Sequence, residues 1–287
     1  MKCRYQSIVH TPKGNIIVDC NRCIECRINK TEEWSTRLLF EAESHGRSCF
    51  VTLTYAPEFE PSDGSLSVKA MQDFMKRVRK YYYGNKKGDL KYYLCGEYGP
   101  STFRPHYHLA ILGVDFDISN WREYKKGHFT SPLLSRLWPF GFNEVGILNK
   151  TTMNYVTGYI QKKLFGDKAP YDEIGVIPPF QLFSKKLGVE TLLKHKGQFI
   201  ENMSISVQGK TMSIPRYYGE KLGFKDMKTD DGIGLRSAFA YEDYQRRLYD
   251  DFDGDAYAMA QAVIESRRQK SLDLDARNKL FDKRNKI

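Results

Sequence analysis

Residues 104–112 read Arg104-Pro105-His106-Tyr107-His108-Leu109-Ala110-Ile111-Leu112. The β-branched and aromatic content and the leading proline predict a strand. Side chains alternate across a strand, so His106 and His108 share one face with Ala110 and Leu112. Tyr107, Leu109 and Ile111 take the other face. Glu97 lies nine residues before His106, at the end of another strand pattern over 90–97, with a Gly-Pro loop between them. If the two strands pair, Glu97 reaches the histidine face, and Tyr93 and Cys95 share its side. Imidazole suits several divalent metals. A carboxylate as third ligand shifts the preference towards Mg²⁺ or Mn²⁺. In isolation, a His-x-His pair is more often two half-exposed strand histidines than a metal site.

What gives the pair weight is a second pattern downstream, Tyr155-Val156-Thr157-Gly158-Tyr159-Ile160-Gln161-Lys162-Lys163. The spacing predicts a helix over 151–165. On it Tyr155, Tyr159 and Lys162 fall within about 60° of one another. Val156, Ile160 and Leu164 form a separate apolar stripe roughly 130° away, with Met153 beside it. That stripe docks inward and leaves two phenols and an ammonium on the opposite side. Two tyrosines at i, i+4 are ordinarily a packing pair, and this chain has 19 tyrosines. Beside a divalent ion they acquire chemistry: a phenol ionises near pH 10 and needs a neighbouring metal, cation or base to attack at neutral pH. Lys162 can supply that charge or hold a phosphate.

Outward from these motifs, a helix is expected over 28–44 and a strand over 49–55. Ser67 caps a helix running to residue 83, with Met71, Phe74 and Val78 on its apolar stripe. One or two short helices fall within 118–138, and a strand over 142–148. Short helices are expected at 189–195 and 216–222, and longer ones at 238–251 and 255–286. The β-α-β-β-(α)-β-α order across 50–165 predicts an α+β fold: a central antiparallel sheet with helices on one side. A mostly helical C-terminal extension follows.

The chain has 287 residues, 41% apolar and 14% aromatic, enough for a real core. Lys and Arg outnumber Asp and Glu by 45 to 35, a net charge of +10 that favours an anionic partner, nucleic acid first. No apolar run approaches the roughly 18 residues that span a membrane, and the N-terminus lacks the apolar stretch of a signal peptide. These features predict an intracellular, reducing location. The six cysteines then call for a reading other than disulfides. Cys20, Cys23 and Cys26 form a CxxCxxC, and Cys3 offers a fourth thiolate. Structural Zn²⁺, an iron–sulfur cluster and unligated buried thiols all remain open. Cys49 and Cys95 lie in strand patterns as core residues.

In order and content these motifs resemble the HUH endonucleases: 50–55, then Cys95-Gly96-Glu97-Tyr98-Gly99, then His106-Tyr107-His108, then Tyr155 and Tyr159. Within that superfamily the chain is most similar to two-tyrosine rolling-circle replication initiators of microviruses, the gokushovirus branch. Cys20-x-x-Cys23-x-x-Cys26-Arg27, Glu33-Trp34 and Arg37 carry that part of the likeness. The match is good over 1–165, thinner to Arg216-Tyr217-Tyr218, and absent over 225–287. The resemblance implies a Rep-type, RRM- or ferredoxin-like sheet and three parts: a cysteine-containing segment at 1–48, a nuclease core at 49–166, and a mostly helical region at 167–287. It implies a metal held by His106, His108 and Glu97, with Tyr155, Tyr159 and Lys162 catalytic. It also implies single-stranded and origin duplex DNA as substrates and an infected bacterial cytoplasm as the setting. One tyrosine takes a 5′-phosphate and frees a 3′-OH for a host DNA polymerase; the second tyrosine cuts the regenerated junction and the circle is rejoined.

Three positions depart from that family's pattern. Tyr107 stands in an apolar slot. Gly158 stands where some relatives carry lysine. Gly209-Lys210-Thr211 lacks a P-loop's glycine-rich lead, so unwinding calls for a host helicase. Two other readings compete. A two-tyrosine transposase shares the chemistry, whereas relaxases usually reverse the motif order. A non-catalytic, sheet-based nucleic-acid-binding module predicts exposed aromatics on the sheet and no metal site. Basic, aromatic-rich stretches at 76–87, 122–126 and 185–186 suit single-stranded DNA, although each is more often a solvated helix or strand face.

Overall fold

The computed structural model of the protein describes residues 3, 5, 7–11, 14–99, 101–164, 169–202, 204–207, 209–223, 249–262, 265, 269, 272–274 and 276. It opens with a hairpin of β1 (Ser7–Thr11) and β2 (Gly14–Val18), followed by α1 (Ile24–Glu43) and β3 (Ser48–Thr54). Then come α2 (Val68–Tyr83), β4 (Lys91–Tyr98), β5 (Pro105–Leu112), β6 (Arg122–Lys125) and β7 (His128–Thr130). α3 (Pro132–Leu137), β8 (Asn143–Gly146), α4 (Lys150–Leu164), α5 (Ala169–Glu173), β9 (Phe180–Phe183) and α6 (Val189–Lys194) complete this part. Seven strands form one sheet in the order β6-β7-β8-β3-β5-β4-β9, and every neighbouring pair is antiparallel. The α+β architecture expected from the sequence is therefore the one adopted.

The helices are not confined to one side, as the element order suggested. One face of β5 packs Tyr107, Leu109 and Ile111 into a core with Met71, Phe74 and Val78 of α2 and Leu133, Leu134 and Leu137 of α3. The other face packs Ala110 and Leu112 against Trp34 and Leu38 of α1 and Met153 and Val156 of α4. The four consecutive apolar residues 109–112 are the physical cause: an uninterrupted apolar run has two faces to bury, and only cover on both sides removes them from water. β9 is an edge strand that the sequence reading lacked, pairing Gln181 with Cys95 and Phe183 with Tyr93.

Local signals fix the helix starts. The Ser67 side chain accepts a hydrogen bond from the Ala70 N–H at 3.1 Å, capping α2 as expected. At α4, Asn149 Oδ1 accepts from the Thr152 N–H at 3.0 Å, and the Asn149 N–H donates to Thr152 Oγ1 at 2.9 Å. This reciprocal pair satisfies two amides at that end. Gly141 lies so close to β3 that a Cβ there would stand 2.2 Å from the Thr54 carbonyl oxygen, so only glycine fits.

The chain divides into two units, residues 1–198 with 207–210, and residues 199–206 with 211–287. The second contains the helix Arg216–Lys221, with Tyr218 buried. Of the helices expected at 238–251 and 255–286, residues 249–251 and 256–262 are described and helical, and most of the rest lie outside the described residues. No described helix is long and apolar enough to cross a membrane.

Candidate active site

Antiparallel pairing of β4 with β5 sets Glu97 opposite His106 and Cys95 opposite His108. Opposed residues point to the same face, so Glu97, His106 and His108 converge. Glu97 Oε1 lies 3.0 Å from His106 Nε2 and 3.1 Å from His108 Nε2. Glu97 and His108 are buried, and His106 is partly open to solvent.

Neighbouring groups fix the rings. His106 Nδ1 lies 3.2 Å from the Arg104 carbonyl oxygen. A carbonyl only accepts, so Nδ1 carries the hydrogen, and in the neutral ring Nε2 keeps a lone pair. His108 Nδ1 lies 2.9 Å from Thr52 Oγ1, its register partner on β3. With Nδ1–H donating to that hydroxyl, Nε2 again faces Glu97. Burial also lowers the affinity of His108 for a proton below that of ordinary imidazole, which keeps the ligand form available. Two imidazole lone pairs and a carboxylate oxygen thus gather within 4.8 Å of one another. Ligands about 2.1 Å from an octahedral ion stand roughly 3 Å apart when adjacent, so this donor set fits a hard divalent cation. Thr52 and Arg104 were not among the expected site residues. Thr52 sits in a strand where threonine is ordinary, and Arg104 contributes only its backbone.

The slot between the histidines is closed differently from a purely apolar one. Tyr107 is fully buried on the opposite face, and its hydroxyl accepts from the Ser67 N–H at 2.8 Å and lies 3.3 Å from Tyr55 Oη. The phenol therefore ties β5 to the first turn of α2, which accounts for a polar atom at this position.

α4 lies over the histidine face. Val156 and Met153 are buried, as the apolar stripe requires, and Cys95 Sγ approaches the Val156 carbonyl at 3.7 Å. Tyr155 is 41% exposed and meets the His108 imidazole edge to face, with ring centroids 5.1 Å apart and planes at 83°. Phe50 completes the group, stacking on His108 at 5.8 Å and meeting Tyr155 at 5.9 Å. The backbones of Tyr159 and Lys162 belong to α4, and their side chains lie outside the described residues. α1 braces the same helix: Thr157 Oγ1 donates to the Thr31 carbonyl at 3.4 Å, and a Cβ on Gly158 would lie 3.5 Å from Thr31 Cγ2.

The expected basic stretches fare unequally. The 76–87 cluster sits largely on α2, across the sheet from the histidines, and several of its cations have structural partners. Lys76 pairs with Asp73, the Arg77 Nε–H donates to the Leu137 carbonyl at 2.9 Å, and the Arg79 guanidinium lies over Tyr92. The exposed strand β6 carries Arg122, Tyr124 and Lys125. Tyr124 donates to Glu144 Oε2 at 2.7 Å, and Glu144 is the register partner of Thr52, so this end of the sheet is joined to the histidine face.

A second cluster of metal-type ligands joins Cys3, Cys20, Cys23 and Cys26, whose Sγ atoms also lie within 4.8 Å of one another. All six cysteines are free thiols, and Cys49 and Cys95 are buried in the core as expected.

A Glu-His-His cluster on an antiparallel sheet, with a tyrosine helix laid over it, defines a class of DNA-replication proteins, and sequence comparison leads to the same place. Residues 48–164 match the family model for the replication-associated protein ORF2 group. The chain is 27% identical to the replication-associated protein ORF2 of Spiroplasma virus 4, over 84% of this chain and 81% of that protein. It is 32% identical to the replication-associated protein VP4 of Bdellovibrio phage phiMH2K, over 69% of this chain and 65% of that one. It is 27% identical to the replication-associated protein ORF4 of Chlamydia phage 1, over 71% of this chain and 53% of that one. The chain belongs with these microvirus replication-associated proteins. No solved structure gives a significant match.

Proposed function

We propose that this protein starts and ends rolling-circle replication of a small single-stranded DNA phage by cutting and rejoining one DNA strand through a tyrosine link. The observation that carries the proposal is the edge-to-face contact of Tyr155 with His108, which sets a nucleophile beside the Glu97-His106-His108 cluster. Mg²⁺ or Mn²⁺ held by those three residues supplies positive charge for a non-bridging phosphate oxygen. The protein's own groups do the rest. Thr52 and the Arg104 carbonyl hold the imidazoles in register. A tyrosine oxygen of α4 attacks the phosphorus, the P–O3′ bond breaks, and the 3′ oxygen takes up a proton as the phenol gives one away. The 5′-phosphate ends on tyrosine, and the free 3′-OH serves as primer for a host polymerase. Since one phosphodiester replaces another, the same 3′-OH can later reverse the step and seal a circle. In this reading Tyr159 performs the second cut and Lys162 holds the phosphate or the leaving oxygen. The DNA is single-stranded origin or origin duplex opened by a host helicase, and the protein acts in the cytoplasm of an infected bacterium.

The test is incubation with single-stranded DNA of the phage origin and Mn²⁺. A protein–DNA adduct that survives denaturant, lost in the Tyr155→Phe/Tyr159→Phe double variant, is the expected result. DNA binding with no adduct under any divalent ion would instead favour a non-catalytic binding module. Cleavage of sequences resembling transposon ends, with none at the phage origin, would favour a two-tyrosine transposase.

A further inference from the structure

The nicking chemistry makes no use of the thiols near the N-terminus. Cys3 precedes the β1–β2 hairpin and Cys20 follows it, while Cys23 is the N-cap of α1 and Cys26 lies in its first turn. The Sγ separations are 3.5 Å for Cys3 and Cys20, 3.7 Å for Cys3 and Cys23, 3.4 Å for Cys23 and Cys26, and 4.0 Å for Cys20 and Cys26. Four sulfurs bound tetrahedrally to one zinc ion at about 2.3 Å stand roughly 3.8 Å from one another. The observed spacings lie around that value and far from the roughly 2.05 Å of a disulfide. A polynuclear iron–sulfur cluster distributes its thiolates over separate irons and so holds them farther apart than a single ion does.

The backbone supports the same reading. The N–H groups of Tyr5 and Cys20 donate to Cys3 Sγ, each at 3.3 Å, and those of Arg22 and Cys23 donate to Cys20 Sγ at 3.4 and 3.3 Å. Amide donors around ligand sulfurs offset thiolate charge and fix sulfur orientation. Cys23 and Cys26 also stand at the start of α1, where the helix dipole favours negative charge.

We propose that Cys3, Cys20, Cys23 and Cys26 bind one structural Zn²⁺ that fastens the hairpin to the N-terminus of α1. Four thiolates close the coordination shell, so the ion has no open position for substrate. The hairpin has a need for such a clasp. Its Ile8 and Val9 are exposed, and a lone two-stranded hairpin is marginal in water. Metal binding supplies folding free energy where a core does not. Thr31, which meets Thr157 and Gly158 of α4, lies eight residues after Cys23, about 12 Å along the helix. The clasp therefore fixes the start of the helix that braces Tyr155, and it stands or falls independently of the nicking reaction.

The test is elemental analysis of the full chain, expressed with zinc and iron both supplied and purified under reducing conditions. The expected result is one zinc per chain in the wild type and in His106→Ala/His108→Ala, and almost none in Cys23→Ser/Cys26→Ser. Four thiols should resist a thiol reagent until a strong chelator is added and then react together. Should the cysteine variant fail to fold, Co²⁺ exchanged into the wild type should give the intense visible bands of a tetrahedral thiolate site. Iron in place of zinc, an intact mass four hydrogens light from two disulfides, or folded metal-free protein with four reactive thiols would each overturn the proposal.

Discussion

At the scale of single residues, the site depends on groups that hold the histidines as much as on the histidines themselves. Removing the Thr52 hydroxyl in Thr52→Val releases His108 Nδ1 while the strand stays packed. Losing a hydrogen-bond partner of a ligand in this way costs ten- to a hundredfold in metal affinity, which a Mn²⁺ titration should register with little change in melting temperature. Glu97→Gln keeps the shape and removes the charge, so the Mn²⁺ concentration that supports adduct formation should rise while the protein remains folded. An unchanged titration would remove Glu97 from the ligand set. Stability should also follow pH through His108. Its folded form resists protonation, so the unfolded chain takes up the proton first, and metal-free protein should lose stability as pH falls below about 6.5. Urea midpoints across that range would measure it. The side-chain period of a strand makes His106 and His108 legible in sequence, and the short loop after Glu97 makes its arrival legible too. Thr52 was not legible, because its role depends on which strand lies beside β5, and pairing partners are not written in local pattern.

At the scale of elements, helix starts and the seam between helices carry the energetics. Ser67→Ala should cost about 1 kcal/mol, read as a lower urea midpoint with unchanged slope. The seam between α1 and α4 is tight but not closed at Gly158, where an added Cβ meets Thr31 at ordinary contact distance. Gly158→Ala should therefore fold normally and gain up to about 1 kcal/mol from helix propensity. Gly158→Leu should lose stability and adduct yield together by prising the helix off its brace. Most elements were legible to within a residue or two because their signals are local: the Ser67 cap, the i, i+4 tyrosines, the β-branched strands. β1, β2 and β9 escaped because four or five residues give too few alternations to count. The strands β6 and β7 within 118–138 escaped for the same reason, although the helix α3 there was expected.

At the scale of the whole molecule, the two faces of the sheet divide the work. The Tyr107 face is the larger apolar core, closed by α2 and α3, and it takes most of the 76–87 cations into structural contacts. The histidine face is covered by α1 and α4 near β4 and β5, and its other end reaches exposed β6. A net charge of +10 draws DNA to the molecule generally, but only one face holds the metal ligands and Tyr155. The most direct test of that arrangement is to map the covalent link. Wild-type protein is reacted with origin single strand and Mn²⁺, the DNA is trimmed with nuclease, and the peptides are sequenced by mass spectrometry. The account predicts a nucleotide on the peptide that carries Tyr155 and Tyr159, absent when His106 and His108 are both alanine. A link to a tyrosine outside α4, or an adduct whose yield ignores loss of those histidines, would contradict it.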